Sequence, residues 1–304
     1  MAAEKGDEYL ILEVTSHALD QFRFWGTKFD IGVITNITRE HLDYHGTFEN
    51  YRETKFKLLR SVKFTVINQN LSQYIVRSHT IMDNKLVTFG LDKGNFNQKK
   101  VKLNLKIPGD YNVENALAAL AVAFVLDIDQ ESAKKSLGNF TNLTGRMEEI
   151  KNNLGIKIFI DFAHTPNGLK QALQTLCSHT SSGRLIAIIG CEGFRDPGKR
   201  EPMGEISGKL ADITIATSVD PRGQLDLINK QIVEGLKKTG AKLDQDFFVI
   251  DDREKAINFA INKLAKKGDT IGIFGKGHEL SLNLDGKKEL PWSDKKAVER
   301  SLYG

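Results

Sequence analysis

The chain has 304 residues, 40% hydrophobic and 27% charged, with a formal net charge of +4. That length supports two domains with separate cores, and the mild charge suits phosphorylated ligands but argues against a nucleic-acid partner. No apolar run approaches membrane-spanning length, no signal-peptide pattern opens the chain, and two cysteines without metal or redox spacing, Cys177 and Cys191, fit a reduced, cytoplasmic setting.

Tyr9-Leu10-Ile11-Leu12-Glu13-Val14 predicts a first strand. Glu13, at its end, is placed to hold a hard cation, and Gln21 and Arg23 beyond it suit phosphate or amide groups. On this segment alone the simpler reading prevails: a helix-capping Thr or Ser followed by surface residues. Ile31–Thr35 predicts the second strand, and Asn36 to Thr47 follows it. Five of the six residues from Arg39 to Tyr44 are ionisable, which points to a metal or phosphate site, although the spacing is not that of a zinc helix. Thr47 caps a predicted helix over about Phe48 to Leu59, which carries Tyr51 and Lys55. Phe64–Ile67 predicts a third strand. A turn from Gly109 to Asn115 opens an Ala/Leu-rich helix reaching Leu126.

A break at Asn139–Thr144 separates a second series. Strands are predicted at Ile156–Ile160, Leu185–Ile189, Ile213–Ala216, Phe247–Ile250 and Thr270–Phe274, with helices between them. Near-continuous apolar strands alternating with helices imply a parallel sheet covered on both faces, whose ligands gather beyond the strands' carboxyl ends. Polar clusters sit there: Gly145-Arg146-Met147-Glu148, Asp161-Phe162-Ala163-His164-Thr165-Pro166, and Gly275-Lys276-Gly277-His278-Glu279. Gly193 to Arg200 nearly fits G-x-x-x-x-G-K-[ST]. However, Arg200 stands where a hydroxyl must reach Mg²⁺, and Pro197 removes a backbone N–H, so a Walker loop is rejected. An anion-binding loop for a carboxylate stays open.

Taken in order, these runs resemble the Mur ligase family. Its motifs are E-V-S-S-H-A-L-x-Q-x-R, T-N-L-x-x-D-H-L-D-Y-H-G, Y-x-x-x-K on a helix, G-x-x-N-x-x-N, G-R-M-E, D-Y-A-H-T-P, a G-C-G-G-x-R-D-x-x-K-R loop, D-N-P-R and G-K-G-H-E. All but one recur with small changes between Glu13 and Ser293. Within the family the resemblance is to the branch that adds the third amino acid to UDP-N-acetylmuramoyl-dipeptide. It implies an α/β chain: an incomplete central ATP-binding domain over 1–141, then a doubly wound Rossmann-like domain over 142–304. The implied reaction uses ATP and Mg²⁺ to form an acyl phosphate that the incoming amine attacks. The resemblance assigns Glu13, His41 and a carbamylated Lys55 to metal and catalysis. It assigns Thr15, Gln21 and Arg23 to the UDP-muramoyl substrate, and Asn112, Arg146 and Asp161 to ATP. Arg195, Asp220, Arg222, Gly275 and Glu279 would line the amino-acid pocket. Carbamylation needs a neutral amine, so Lys55 is expected in a partly desolvated place.

Two departures matter. The family's phosphate loop, G-T-x-G-K-T, is expected upstream of Glu13 and does not occur in the sequence. The chain is therefore expected to be a fragment, a split gene or a misassigned start, with the loop on a missing segment or separate chain, and without ligase turnover on its own. Val219-Asp220-Pro221-Arg222 replaces D-N-P-R; retention of Arg222 favours diaminopimelate over lysine, since a distal carboxylate needs a cation. A non-catalytic nucleotide- or muropeptide-binding protein and a folate-type glutamate ligase are the alternatives. The stretch from Phe89 to Pro108 is short for the family and suggests a trimmed hairpin.

Overall fold

The computed structural model describes residues 6–78, 85–141, 143–180 and 183–304. The chain forms two compact units, one of residues 1–102 and 117–130, the other of 103–116 and 131–304. Among the described residues no helix is long and apolar enough to cross a membrane.

The first unit holds a parallel sheet in the order β1 (Ile31–Ile34), β2 (Phe64–Asn68), β3 (Lys85–Phe89). Helices α1 (Ser16–Asp20), α2 (Leu42–His45), α3 (Phe48–Phe56) and α4 (Ser72–Ser78) accompany it. Its core gathers Ile34, Tyr51, Phe56, Leu59, Ile67 and Leu71. Thr47 caps α3 by accepting the Asn50 N–H at 3.2 Å, as its position before an apolar-periodic run predicts. The predicted strand at Tyr9–Val14 is not one: among the described residues no strand pairs with it, and Leu10 and Ile11 are 74% and 94% exposed. β-Prone residues form a strand only where a neighbour satisfies their backbone and covers a face. The expected hairpin after Phe89 is an irregular loop pinned by a bridge between Phe89 and Phe96.

Helices α5 (Asp110–Val125) and α6 (Gln130–Asn139) follow along the chain. The second unit is built on a six-stranded sheet in the order β4 (Glu148–Glu149), β5 (Lys157–Asp161), β9 (Thr270–Phe274), β6 (Leu185–Ile189), β7 (Ile213–Ala216), β8 (Phe247–Val249). All pairings are parallel except β4 with β5. Alternate residues of one strand face opposite cores. Leu185, Ala187 and Ile189 pack with Leu173 of α7 (Pro166–His179), Met203 of α8 (Arg200–Leu210) and Ile232 of α9 (Leu225–Lys238). Ile186 and Ile188 pack with Ile257 of α10 (Arg253–Phe259) and Val298 of α11 (Asp294–Tyr303). Both faces are thus covered, the doubly wound arrangement that the apolar strands predict. Pro166 stands in the first turn of α7 behind its cap Thr165. A short hairpin, β10 (Ser281–Leu282) with β11 (Leu290–Pro291), precedes α11.

Candidate functional site

In the first unit, Lys55 lies on α3 with its ammonium 5.2 Å from the centre of the Tyr51 ring. The His41 ring is 6.2 Å from that same ring. Burial lowers the Lys55 pKa, against the opposing charges of Glu40 and Glu13. Of the sequence-predicted trio, His41 and Lys55 both lie against Tyr51, with Glu40 3.6 Å from His41, while Glu13 is exposed and reaches Lys55 only through its charge. His41 holds a left-handed backbone, φ +54, a conformation that structures retain at sites where surrounding contacts enforce it. Among the described residues no three His, Cys, Asp or Glu side chains stand close enough to hold a metal ion. The Glu40 and Glu13 carboxylates, whose charges act on Lys55, are oxygen donors of the kind a hard cation takes, with its remaining oxygens from substrate and water.

Thr15, Gln21 and Arg23 are placed less decisively. The Thr15 hydroxyl accepts the Ala18 N–H at 3.2 Å and caps α1, as the simpler sequence reading has it. Gln21 Oε1 accepts from Arg23 Nε at 3.0 Å and from its terminal nitrogen at 2.7 Å, so these two exposed side chains engage each other.

In the second unit, Asn112 and Arg146 line one cavity of about 210 Å³ with Asn115, Leu105, Ile107 and Phe140. The Arg146 guanidinium lies over the Phe162 ring, 4.6 Å from its centre. Asp161, at the end of β5, accepts the Met147 N–H and the Ala163 N–H, each at 2.8 Å. Burial raises its pKa, while those two bonds and the Arg146 charge oppose the rise. The buried Tyr111 hydroxyl meets no partner in hydrogen-bonding geometry. The Asn112 amide beside it donates to Pro108 O at 2.6 Å. An apolar-walled cavity with amide and guanidinium groups fits a nucleotide.

Parallel strands place the other candidates by topology. β6, β7 and β9 are parallel, β6 lying between the other two, so their following loops leave at the same edge. Arg222, after β7, donates to Gly193 O at 3.1 Å in the loop after β6. Asp220 and Glu279 both meet the ammonium of Lys276, at 2.9 and 2.6 Å. Arg195 is exposed in the Gly193 loop. Gly275 has φ +106, and a Cβ there would press on Val219 at 3.1 Å. Asp220 and Arg222 hold φ +44 and +48, so this loop too carries enforced backbone strain. The near-Walker loop offers no phosphate cradle. Three of its amides are occupied within the protein: Gly193 N donates to Asp220 O, Phe194 N to Gln224, and Gly198 N to Asp196. Arg200 is buried, donating to Gln231 at 2.8 Å.

Two residues escape the sequence reading. Lys276 sits inside a recognised motif but looks like a surface lysine until its 1% exposure is known. Glu192 stands where the resembled loop has glycine, which was a usable signal. Burial alone would raise its pKa, but Lys199, His164 and Arg195 outweigh that and hold it low.

Known proteins resemble this chain across both of its units. The Mur ligase middle domain matches residues 1–123, and the Mur ligase glutamate ligase domain matches residues 145–277. A UDP-N-acetylmuramoyl-L-alanyl-D-glutamate–2,6-diaminopimelate ligase of Caldanaerobacter subterraneus subsp. tengcongensis is 36% identical over 99% of this chain, which spans 65% of that relative's length. The Clostridium perfringens protein of the same name is 38% identical over 91% of the chain and 60% of its own length. A solved structure of such a ligase superposes with a TM-score of 0.59 at 30% identity, covering 99% of this chain and 65% of that one. A MurF ligase of Thermotoga maritima, solved with ADP, has a TM-score of 0.65 at 16% identity, covering 95% of this chain and 64% of its own, and shares the fold. With both domains matched in order and their motif loops gathered at the sheet edges, the chain belongs to the Mur ligase family.

Proposed function

We propose that the chain serves an ATP-dependent ligase that joins diaminopimelate, in preference to lysine, to UDP-N-acetylmuramoyl-L-alanyl-D-glutamate in cytoplasmic peptidoglycan synthesis. The observation that carries the reading is the meeting of Arg222, Asp220, Lys276 and Glu279 at one carboxyl edge. Lys276 and Asp220 offset each other there. Arg222, with Arg195 on the neighbouring loop, is left for carboxylates, and Glu279, whose Oε2 meets Lys276, keeps its other oxygen for an ammonium. Diaminopimelate has two carboxylates and two amines, whereas lysine has one carboxylate. The names of the relatives support the same substrate.

The nucleotide, when bound, would supply the phosphoryl group that activates the substrate carboxylate, with Mg²⁺ screening its charge. Asn112, Arg146 and Asp161 would hold the nucleotide. Glu13, His41 and Lys55 as a carbamate would hold the metal. Thr15, Gln21 and Arg23 would contact the muramoyl substrate once their internal bonds are exchanged.

Titrating ADP into the chain tests the nucleotide assignment. Arg146→Ala is expected to weaken ADP by about 1.5–3 kcal/mol, the worth of a hydrogen bond to a charged group. Equal affinity in calorimetry would remove Arg146 from the site. Lys55 gives an independent check. Because burial lowers its pKa, its neutral fraction grows at a lower pH than that of surface lysines. With ¹³C-bicarbonate, a carbamate NMR signal is expected that strengthens as pH rises and disappears in Lys55→Ala. A spectrum identical in the two proteins would rule the modification out.

A further inference from the structure

Lys276 is buried, 1% exposed, so a ligand in the pocket cannot touch it. Its ammonium lies 2.9 Å from Asp220 Oδ2. Asp220 Oδ1 accepts the Asn283 N–H at 2.8 Å, so both oxygens of this carboxylate are engaged inside the protein. Arg222 is the next cation along, its terminal nitrogen 4.0 Å from the same Oδ2. Its other terminal nitrogen holds Gly193 O at 3.1 Å, and its side chain is 25% exposed against 9% for Asp220. Two cations thus stand by one buried carboxylate oxygen, and the nearer takes it.

We infer that Lys276 is a positioning residue: by neutralising Asp220 it keeps Arg222 from closing to a hydrogen-bonded pair with that carboxylate and leaves it available to a ligand carboxylate. The inference rests on the amino-acid pocket proposed above and deepens it. A buried, unpaired carboxylate is costly and recruits the nearest cation. Without the Lys276 ammonium, a shift of about 1 Å would bring Arg222 into contact with Asp220, within the normal range of charge-assisted bonds. A side chain so paired has lost the fork with which it would grip a substrate. Asp220 then acts as the counter-ion of Lys276, not as a substrate contact. The same ammonium also holds Glu279 Oε2 at 2.6 Å, linking the loop after β9 to the loop after β7.

The test is a double-mutant cycle on the full 304-residue chain, read by calorimetry with meso-diaminopimelate. Arg222→Ala is expected to lower affinity at least ten-fold in the wild-type background. In the Lys276→Met background, Arg222→Ala should cost less than two-fold, because Arg222 is already withdrawn. An undiminished loss there would overturn the inference, since a lysine that merely stabilises the fold leaves the two losses independent. The second arm needs no ligand. The Arg222 Nε–H resonance should shift, and its exchange with water slow, in Lys276→Met, and both should revert in Lys276→Met/Asp220→Asn. An unchanged resonance in Lys276→Met would likewise overturn it. If Lys276→Met does not fold, Lys276→Gln keeps a donor to Asp220 without the charge and takes its place in both arms. Failure of the wild-type chain to bind diaminopimelate would refute the proposed substrate, and the resonance of Arg222 would then decide the role of Lys276 by itself.

Discussion

Arg253→Met is expected to destabilise the second unit by about 3–5 kcal/mol, the usual effect of breaking a buried ion pair from one side. Arg253 and Asp294 are both fully buried, at 0% exposure. Their contact is bidentate, 2.7 Å from Nε to Oδ1 and 2.8 Å from the terminal nitrogen to Oδ2. The same guanidinium donates to Phe274 O at 3.0 Å and reaches Ser218 O at 3.4 Å. It therefore joins α11 to the ends of β7 and β9, just before the loops that carry Asp220, Arg222 and Glu279. Methionine leaves Asp294 charged and buried, with the Trp292 indole N–H at 2.8 Å as its remaining side-chain donor. Urea unfolding followed by circular dichroism measures the loss. Arg253→Met/Asp294→Leu, which removes both charges, should recover a large part of it. A single-variant loss below about 1 kcal/mol, the range of exposed pairs, would contradict the account.

The second large effect is expected at Gly145. It holds φ +68, and a Cβ there would overlap the backbone of Gly277 and the nitrogen of His278. Alanine meets two separate costs. The left-handed conformation costs about 1–2 kcal/mol, and forcing an atom into packed backbone costs roughly 1–3 kcal/mol more. Gly145→Ala should thus lose about 2–5 kcal/mol of stability. It should also weaken ADP at least ten-fold, about 1.4 kcal/mol or more, because Arg146 and the Gly275–Glu279 loop move apart. Gly240→Ala is the control. Gly240 holds φ +85 with nothing within 4 Å of a Cβ, so it should show the conformational cost alone. Equal losses at the two positions would mean that the contact between these loops is not tight.

Much of the second unit was legible because its strands are buried on both faces. Leu185–Ile189 and Thr270–Phe274 are uninterrupted apolar runs, and the structure forms strands over those same residues. Five such strands in parallel imply loops sharing one edge, and Arg222 and Glu279 are gathered there with Asp220 and Lys276. The first unit was harder. Tyr9–Val14 has a strand's composition but, among the described residues, no strand beside it. Lys85–Phe89 is a strand whose first two residues are exposed, so its apolar signal is short. Motif residues were legible, but their hydrogen-bond state was not. Thr15 caps a helix, and Gln21 and Arg23 hold each other. Sequence gives the residue type and the loop, while the partner of each polar atom depends on neighbours from distant strands. Lys276 shows this most clearly, since its role follows from Asp220, which lies on a different loop.

The most direct measurement is calorimetry of meso-diaminopimelate and of lysine binding to this chain and to Arg222→Ala. Diaminopimelate is expected to bind more tightly and to lose about 1.5–3 kcal/mol in Arg222→Ala, with lysine little changed. Diaminopimelate and lysine binding equally, with neither affected by Arg222→Ala, would contradict the proposed substrate.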